Sequence, residues 1–337
     1  MTRVGLVGAT GLVGRTMLVI LAERQFPVDD LRVFASPRSA GTKLETAWGE
    51  VEVEDLAEAD PRGLQLGLFS AGAQRSRQHA PRFVERGAVV IDNSSAFRMD
   101  PQVPLVVAGV NDADLDRHRG IVANPNCTTM DLAVAVAPLH ERAGLRSVVA
   151  SSYQSVSGSG QRAVDELVRQ VEALGAERQA LASGAWSDPG CEVYSRPIGW
   201  NVIPFAGQPG EGGHTEEEWK LVNETRKILG VSDLAVEATC VRVPVMVGHG
   251  VATSLWFDRP LGVEEASQVL RQAPGVELWE EVVPTPLDAA GRDEVLVGRL
   301  RQTLGTPGGL SMWVVGDNLR KGAALNAVQL AELLANG

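Results

Sequence analysis

Residues 4–21 constrain the fold of this chain more than any other stretch. Residues 4–7 have the composition of a buried strand, Gly8-Ala9-Thr10-Gly11-Leu12-Val13-Gly14 follows at once, and residues 16–21 continue with helical character. Strand, glycine-rich turn and helix in direct succession are the setting of a dinucleotide-binding βαβ unit. In that setting Gly8 permits the tight turn and Gly11 lets a pyrophosphate approach the backbone at the helix N-terminus. Gly14 lets the helix pack closely on the strand. The spacing is G-x-x-G-x-x-G, a looser variant of G-x-G-x-x-G.

The second strand is expected at residues 31–35. A site for NAD carries Asp or Glu at this strand's end to hold the ribose 2′-hydroxyl. Here the chain reads Ser36-Pro37-Arg38-Ser39, and a cation flanked by hydroxyls suits a 2′-phosphate. NADP is therefore favoured over NAD, the alternative being a solvated loop arginine. Further strands are expected at 66–69, 88–92, 105–108 and 121–123, giving a doubly wound α/β sheet. Their carboxyl ends carry small or polar residues, among them Gly72 and Asn93-Ser94-Ser95-Ala96, and in such a sheet these ends face the ligand. Arg98 follows one of them, placed either to reach a site or to pair with Asp100 at the surface.

The last of these strands leads into Asn124-Pro125-Asn126-Cys127-Thr128-Thr129, followed by the helical run 130–136. A cysteine at a helix N-terminus meets unpaired backbone N–H groups and the positive end of the helix dipole, which favour the thiolate. A thiolate attacks carbonyl carbon readily. The alternative is a buried structural cysteine.

Beyond residue 147 the pattern changes. A strand at 147–156 is followed by Ser157-Gly158-Ser159-Gly160 and a helix at 161–174. Residues 177–213, rich in Gly, Pro and Trp, are expected to be irregular and are a candidate subunit contact. Thr215 and Glu218 form a capping box at the start of the next helix. Glu217 and Lys220 share a face of it, either as a surface ion pair or as a pair that orients an amino-acid substrate. A strand at 239–247 carries Arg242 on the face opposite Val241 and Val243, and Gly248-His249-Gly250 follows. A histidine between glycines is expected on an open loop, where it can act as acid and base near neutral pH. The other histidines are assigned to surfaces or helices. With a strand at 251–257 these segments imply a second, largely separate sheet. Near the C-terminus, Asp317-Asn318 leads into a helix at 323–334 whose stripe of Ala324, Leu325, Val328 and Leu333 should fold back on the first domain.

A length of 337 residues suits two domains, placed at 1–126 plus 318–337 and at 127–317. The net charge of −11 argues against nucleic-acid or anionic-membrane partners, so an anionic substrate needs local Arg or Lys. Three cysteines do not make a disulfide framework and fit a reducing compartment. No signal peptide and no apolar run near the roughly 20 residues of a membrane span is seen, so a soluble, cytoplasmic protein is expected.

In order along the chain, the glycine turn, Asn93-Ser94-Ser95-Ala96-Phe97-Arg98, Asn124 to Thr129, Gln154-x-x-Ser157-Gly158-x-Gly160, Glu217-Glu218-Trp219-Lys220, Arg242-Val243-Pro244-Val245 with Gly248-His249, and Asp317 to Gly322 together resemble the bacterial aspartate-β-semialdehyde dehydrogenase family. The resemblance spans essentially the whole chain. It implies an N-terminal Rossmann-type doubly wound sheet, an α+β catalytic and dimerisation domain, and a C-terminal helix returning to the first domain. It also implies NADPH-dependent reductive dephosphorylation of L-aspartyl-4-phosphate in lysine, threonine and methionine biosynthesis. By that resemblance Cys127 is the nucleophile that forms a thioacyl enzyme, His249 the acid–base catalyst, and Gln154 a residue that positions the acyl group. Arg242 and Glu217 would hold the substrate's α-carboxylate and α-amino groups, and Arg98 and Lys220 the phosphate, with Asn126 also at the substrate. The implied cofactor contacts are Gly8, Thr10, Gly11, Leu12, Val13, Ser36, Arg38, Ser39, Gly72, Ser157, Gly158 and Asn318. NADP(H) without a metal, and a homodimer, are implied as well. Phe205-Ala206-Gly207 stands where many members carry His-Ile-Asp, and the stretch around Cys191 does not match the family's pattern. The alternatives are an N-acetyl-γ-glutamyl-phosphate reductase-like enzyme, which normally has Pro-Gly-Cys-Tyr at its cysteine, and a non-catalytic nucleotide-binding homologue. A glyceraldehyde-3-phosphate-type dehydrogenase would carry Ser-Cys-Thr-Thr-Asn and an NAD-type acid, neither of which is present.

Overall fold

Residues 2–336 are described in a computed structural model. β1 (Thr2–Val7), α1 (Leu12–Glu23) and β2 (Val28–Ala35) form the opening βαβ unit, with β1 and β2 parallel. Its turn is built as the glycines require. Gly8 sits at φ +86°, and a Cβ there would lie 2.2 Å from the Ser70 carbonyl oxygen; a Cβ on Gly14 would lie 2.3 Å from the Gly8 oxygen. A side chain at Gly8 would drive the turn off the Ser70 backbone, and one at Gly14 would push the helix off the turn. β3 (Lys43–Thr46) and β4 (Gly49–Asp55) form an antiparallel hairpin at the sheet edge that the sequence pattern did not announce. β5 (Leu66–Phe69), α2 (Ala73–Glu85), β6 (Val89–Asp92), β7 (Ile121–Ala123) and α3 (Cys127–Ala143) follow. The sheet runs β3-β4-β2-β1-β5-β6-β7, so strand order reverses between β1 and β5. The turns after β1, β2, β5, β6 and β7 all leave from carboxyl ends of parallel strands, the ligand-facing edge of such a sheet. The strand expected at 105–108 is a single bridge from Leu105 to Ala123, because its neighbours turn away into a bend held by Asn111.

The second sheet is built from β8 (Leu145–Gln154), β9 (Ala235–Arg242), β10 (His249–Phe257), β11 (Val276–Trp279), β12 (Val295–Gln302) and β13 (Gly309–Gly316), in the order β11-β12-β13-β10-β8-β9. Helices α4 (Gln161–Ala176), α5 (Arg178–Ser183), α6 (Glu216–Leu229), α7 (Val263–Gln272), α8 (Pro286–Ala289) and α9 (Leu325–Asn336) complete the elements, with a π-turn at Arg320–Ala324 before α9. The stretch 177–213 is irregular apart from α5 and a 3₁₀ turn. The strand expected at 239–247 ends at Arg242, and Val243 to Gly248 form a bend instead. Among the described residues no helix is long and apolar enough to cross a membrane.

By internal contacts the residues divide into two compact units. One comprises the chain up to Ala137, Asn223–Ser232 and the chain from Leu319 onward; the other comprises Pro138–Val222 and Asp233–Asn318. The division falls inside α3 and α6, so each helix contributes residues to both. In the first unit Val4, Leu6, Met17, Ile20, Val33 and Leu68 pack with Leu325, Val328, Leu330 and Ala331 of α9. The C-terminal helix therefore belongs to the core of the first sheet, as its apolar stripe suggested. Leu333 is a correction: it is 38% exposed, and Leu330 and Ala331 take the buried positions. Each fully buried leucine or valine contributes about 1.5–3 kcal/mol.

Candidate active site

In the first unit α3 opens at Cys127, a partly exposed cysteine. Asn126 caps the helix: its Oδ1 accepts the N–H groups of Thr128 at 3.0 Å and Thr129 at 3.4 Å. The cap is itself anchored, because the Asn126 N–H donates to Glu224 Oε2 at 2.6 Å. Arg98 is buried rather than paired with Asp100 at the surface. It donates from Nε to the Asn124 carbonyl at 2.9 Å, from Nη2 to the Asn93 carbonyl at 3.0 Å and from Nη1 to Glu224 Oε1 at 3.0 Å. Asn124 is bound from below by Asn326 Nδ2, which donates to its Oδ1 at 2.7 Å. Lys321, 3% exposed, donates to the Ala108 carbonyl and to Gln329 Oε1. The turn before the cysteine thus rests on a buried polar network reaching into α9, where hydrogen-bonded satisfaction of each group is what makes burial tolerable.

In the second unit Gln154, at the end of β8, pairs in register with Arg242 at the end of β9. Arg242 is 7% exposed; its Nη1 donates to the Ser155 carbonyl at 2.8 Å, and its Nε is buried without an acceptor. His249 is a correction. It is not on an open loop but is the first residue of β10, with no exposed surface. Its flanking glycines serve packing: Gly248 sits at φ +94° against Pro286, and a Cβ on Gly250 would lie 2.1 Å from the Trp313 ring. The Ser155 N–H donates to His249 Nδ1 at 3.0 Å, which requires Nδ1 to be unprotonated and puts the proton of the neutral ring on Nε2. Burial, and then the Arg242 charge, push the imidazole pKa down from 6.5 to about 3. Nε2 has no partner among the described residues. A Cβ on Gly158 would lie 3.3 Å from both His249 Nε2 and Arg242 Nη1, so this glycine keeps the space beside them open.

Asn318 ties the cluster together. Its Oδ1 accepts from Gly248 N–H at 2.9 Å, Ser155 Oγ at 3.0 Å and Ser157 Oγ at 3.2 Å, and its Nδ2 faces Ser157 Oγ at 2.9 Å. Glu217 and Lys220 form an ion pair at 2.6 Å on α6. The capping box is realised, with Glu218 accepting the Thr215 N–H at 2.8 Å and Glu218 N–H donating to Thr215 Oγ1 at 3.3 Å. Glu218 Oε1 also accepts the Cys240 N–H at 2.9 Å. Cys240 is buried and its thiol is pushed up to about 12, which keeps it protonated and inert. A cleft of about 580 Å³ in this unit is lined by Arg242, Tyr194, Phe205, Gly207 and Gln208.

The glycine turn fits a dinucleotide. Gly11 caps α1 without a side chain and is exposed, so the first-turn N–H groups of Leu12 and Val13 lie beside an open cap next to Thr10. Ser36 accepts the Ser39 N–H at 2.9 Å in the turn after β2, and Arg38 is exposed there with no ion pair among the described residues. Gly72, at φ +85°, caps α2 with nothing within 4 Å of a Cβ position. Among the described residues no group of His, Cys, Asp or Glu is placed to hold a metal ion.

The expected residues thus form two clusters. The first unit holds the dinucleotide turns, Arg98, Asn126 and Cys127; the second holds Gln154, Ser157, Gly158, Glu217, Lys220, Arg242, His249 and Asn318. Ser155 and Glu224 were missed. Glu224 had a signal: Leu221, Glu224, Thr225 and Ile228 share the core-facing stripe of α6, and an acid on such a stripe needs a buried partner.

Two family models match the chain, "Semialdehyde dehydrogenase, NAD binding domain" over residues 3–118 and "Semialdehyde dehydrogenase, dimerisation domain" over residues 136–321. The fold is thus that of a semialdehyde dehydrogenase. The aspartate-semialdehyde dehydrogenase of Mycolicibacterium smegmatis is 50% identical over 345 residues, covering 99% of each chain. That of Streptomyces akiyoshiensis is 52% identical over 340 residues, covering 99% of this chain and 98% of its own. A crystal structure of aspartate semialdehyde dehydrogenase II from Vibrio cholerae, complexed with ASA, superposes with a TM-score of 0.94 at 41% identity, covering 100% of this chain and 98% of that one. The chain belongs to the aspartate-semialdehyde dehydrogenase family.

Proposed function

We propose that the chain catalyses reversible, NADPH-dependent reductive dephosphorylation of L-aspartyl-4-phosphate to L-aspartate 4-semialdehyde and phosphate, acting in the cytoplasm as a homodimer. The observation that carries the assignment of roles is in the second unit. There a neutral His249 leaves Nε2–H without an acceptor beside Arg242, whose Nε also lacks one. Buried donors without acceptors fit an oxygen-rich anionic substrate.

Arg242 receives the α-carboxylate, for which a planar guanidinium is suited, and Glu217 the α-ammonium. Lys220 and Arg98 bind the phosphate, supplying the local positive charge that a chain of net charge −11 needs. The Cys127 thiolate attacks the acyl carbon, forming the C–S bond; the C–O bond to phosphate breaks and phosphate departs with the electron pair. Gln154 keeps the resulting thioester aligned. NADPH, when bound, supplies the hydride that reduces the thioester carbon. His249 donates its Nε2–H hydrogen bond to the oxygen on which negative charge builds in both steps. The C–S bond then breaks, releasing the aldehyde and restoring the thiolate. A neutral imidazole held in the Nε2–H tautomer is a hydrogen-bond donor at that atom, a narrower role than general acid and base. Gly8, Thr10, Gly11, Leu12 and Val13 would hold the pyrophosphate through backbone, Ser36, Arg38 and Ser39 would hold the 2′-phosphate, and Gly72, Ser157, Gly158 and Asn318 would be further cofactor contacts.

The test is NADP reduction by the purified protein with L-aspartate 4-semialdehyde, with and without inorganic phosphate. Phosphate-dependent reduction is expected. No reduction, with N-acetylglutamate semialdehyde turned over instead, would move the chain to the related reductase.

A further inference from the structure

Glu224 is a buried carboxylate to which the steps above assign no part. Both oxygens are engaged: Oε1 accepts from Arg98 Nη1 at 3.0 Å and Oε2 accepts the Asn126 N–H at 2.6 Å. The side chains of Arg98 and Glu224 are 8% and 2% exposed. A buried ion pair is weak evidence for stability, since apolar residues of the same volume often serve as well. What this pair sets is direction. A guanidinium carries N–H donors in one plane, and its orientation follows from the acceptors it meets. Arg98 meets three, the carbonyls of Asn124 and Asn93 and the carboxylate of Glu224. Only the last is a side chain, and only it also grips the residue before Cys127. Lys227, on the same face of α6, donates to the carbonyls of Arg98, Asp100 and Val103, so this helix holds the backbone of Arg98 as well as its head.

We propose that Glu224 is a positioning residue that aims Arg98 at the phosphate and, through the Asn126 N–H, sets the turn that presents Cys127. This inference rests on the reaction proposed above. A carboxylate is required because two donors converge on it. A carboxamide of the same size has one acceptor oxygen, so its NH₂ would face either Arg98 or the Asn126 N–H, and one contact would be lost. An aspartate keeps the charge but falls one methylene short of reaching both.

The experiment compares the full-length protein with Glu224→Gln and Glu224→Asp in phosphate-dependent NADP reduction. For Glu224→Gln, kcat is expected to fall by about 3–10-fold and KM for phosphate to rise by about 3–10-fold, together the effect of losing one charge-assisted hydrogen bond. KM for the semialdehyde and the Kd for NADP are expected to stay within about twofold, because the roles proposed above assign neither ligand to this pair. Glu224→Asp is expected to fall between the two proteins. A residue that only supports packing would lower the yield of active protein and leave both KM values where they are; that result overturns the inference, as does an equal rise in both. If Glu224→Gln does not fold, Glu224→Asp decides: a raised phosphate KM with an unchanged semialdehyde KM supports the inference, and an unchanged phosphate KM overturns it. Absence of phosphate-dependent turnover in the unaltered protein would remove the reaction and the aim assigned to Arg98 with it. Failure confined to the Glu224 variants leaves the reaction standing.

Discussion

Lowering the pH from 8 to 5 should leave His249 neutral in the folded protein, although an ordinary histidine would be largely protonated by pH 5. The imidazole is fully buried, Arg242 adds a positive charge beside it, and its pKa is pushed from 6.5 to about 3. The Ser155 N–H at Nδ1 opposes the imidazolium further, because protonation would set one N–H against another at 3.0 Å. A difference of about 3.5 units leaves roughly one molecule in 3,000 protonated at pH 6.5. The sign for stability follows from linkage. The folded pKa lies below the unfolded one, so as pH falls below 6.5 the unfolded chain takes up the proton first. The contribution is whole above pH 6.5 and erodes by about 1.4 kcal/mol per pH unit down to about pH 3. Between pH 6.5 and 5 that amounts to about 2 kcal/mol. The assay is the ¹³Cε1 signal of labelled histidine, followed from pH 8 to 5, with the His249 resonance among the five histidines identified by its loss in His249→Asn. Its position should stay that of the neutral Nε2–H tautomer. In urea unfolding the unaltered protein should lose about 2 kcal/mol more than His249→Asn over the same acid range. A titration midpoint between pH 6 and 7, or equal acid sensitivity in the two proteins, would refute both the tautomer and the donor role built on it.

Cys127→Ser should abolish turnover, since a hydroxyl is a far weaker nucleophile than a thiolate, while NADPH binding measured by fluorescence stays within about twofold. Substantial residual turnover would take Cys127 out of the reaction. Arg38→Ala should weaken NADPH by about 10–100-fold in Kd and NADH hardly at all, the loss of one charge-assisted contact to the 2′-phosphate. Equal effects on both cofactors would return Arg38 to a solvated loop. Gly250→Ala should lower stability by about 1–3 kcal/mol, read as a shift in the urea midpoint, because its Cβ would enter the Trp313 ring at 2.1 Å. No shift would mean that the ring moves freely aside.

Much of the site was legible because its chemistry is local. The Gly8 turn, the cysteine at the start of α3 and the Thr215–Glu218 capping box each depend on residues a few positions apart, and each was found where the pattern placed it. The returning C-terminal helix was readable from its apolar stripe, although Leu333 faces outward because, five residues after Val328, it stands about 140° round α9 from it. The β3–β4 hairpin escaped notice because Lys43–Thr46 and Gly49–Asp55 are partly exposed and charged, without the apolar run that marks an inner strand.

What the sequence by itself determined was therefore the family, and with it the groups proposed to react: a thiol, an imidazole, an arginine and a glycine turn in a fixed order. Only the tertiary structure decided their states. Glu224 reaches Arg98 across 126 positions of sequence, and the Ser155 N–H reaches His249 across 94. The α6 stripe marks Glu224 as buried, but neither partner can be read from a periodic pattern, because each contact depends on how two distant elements pack. Burial, too, is a property of the packed sheet, so the same Gly-His-Gly that reads as an open loop encloses a histidine held neutral in one tautomer.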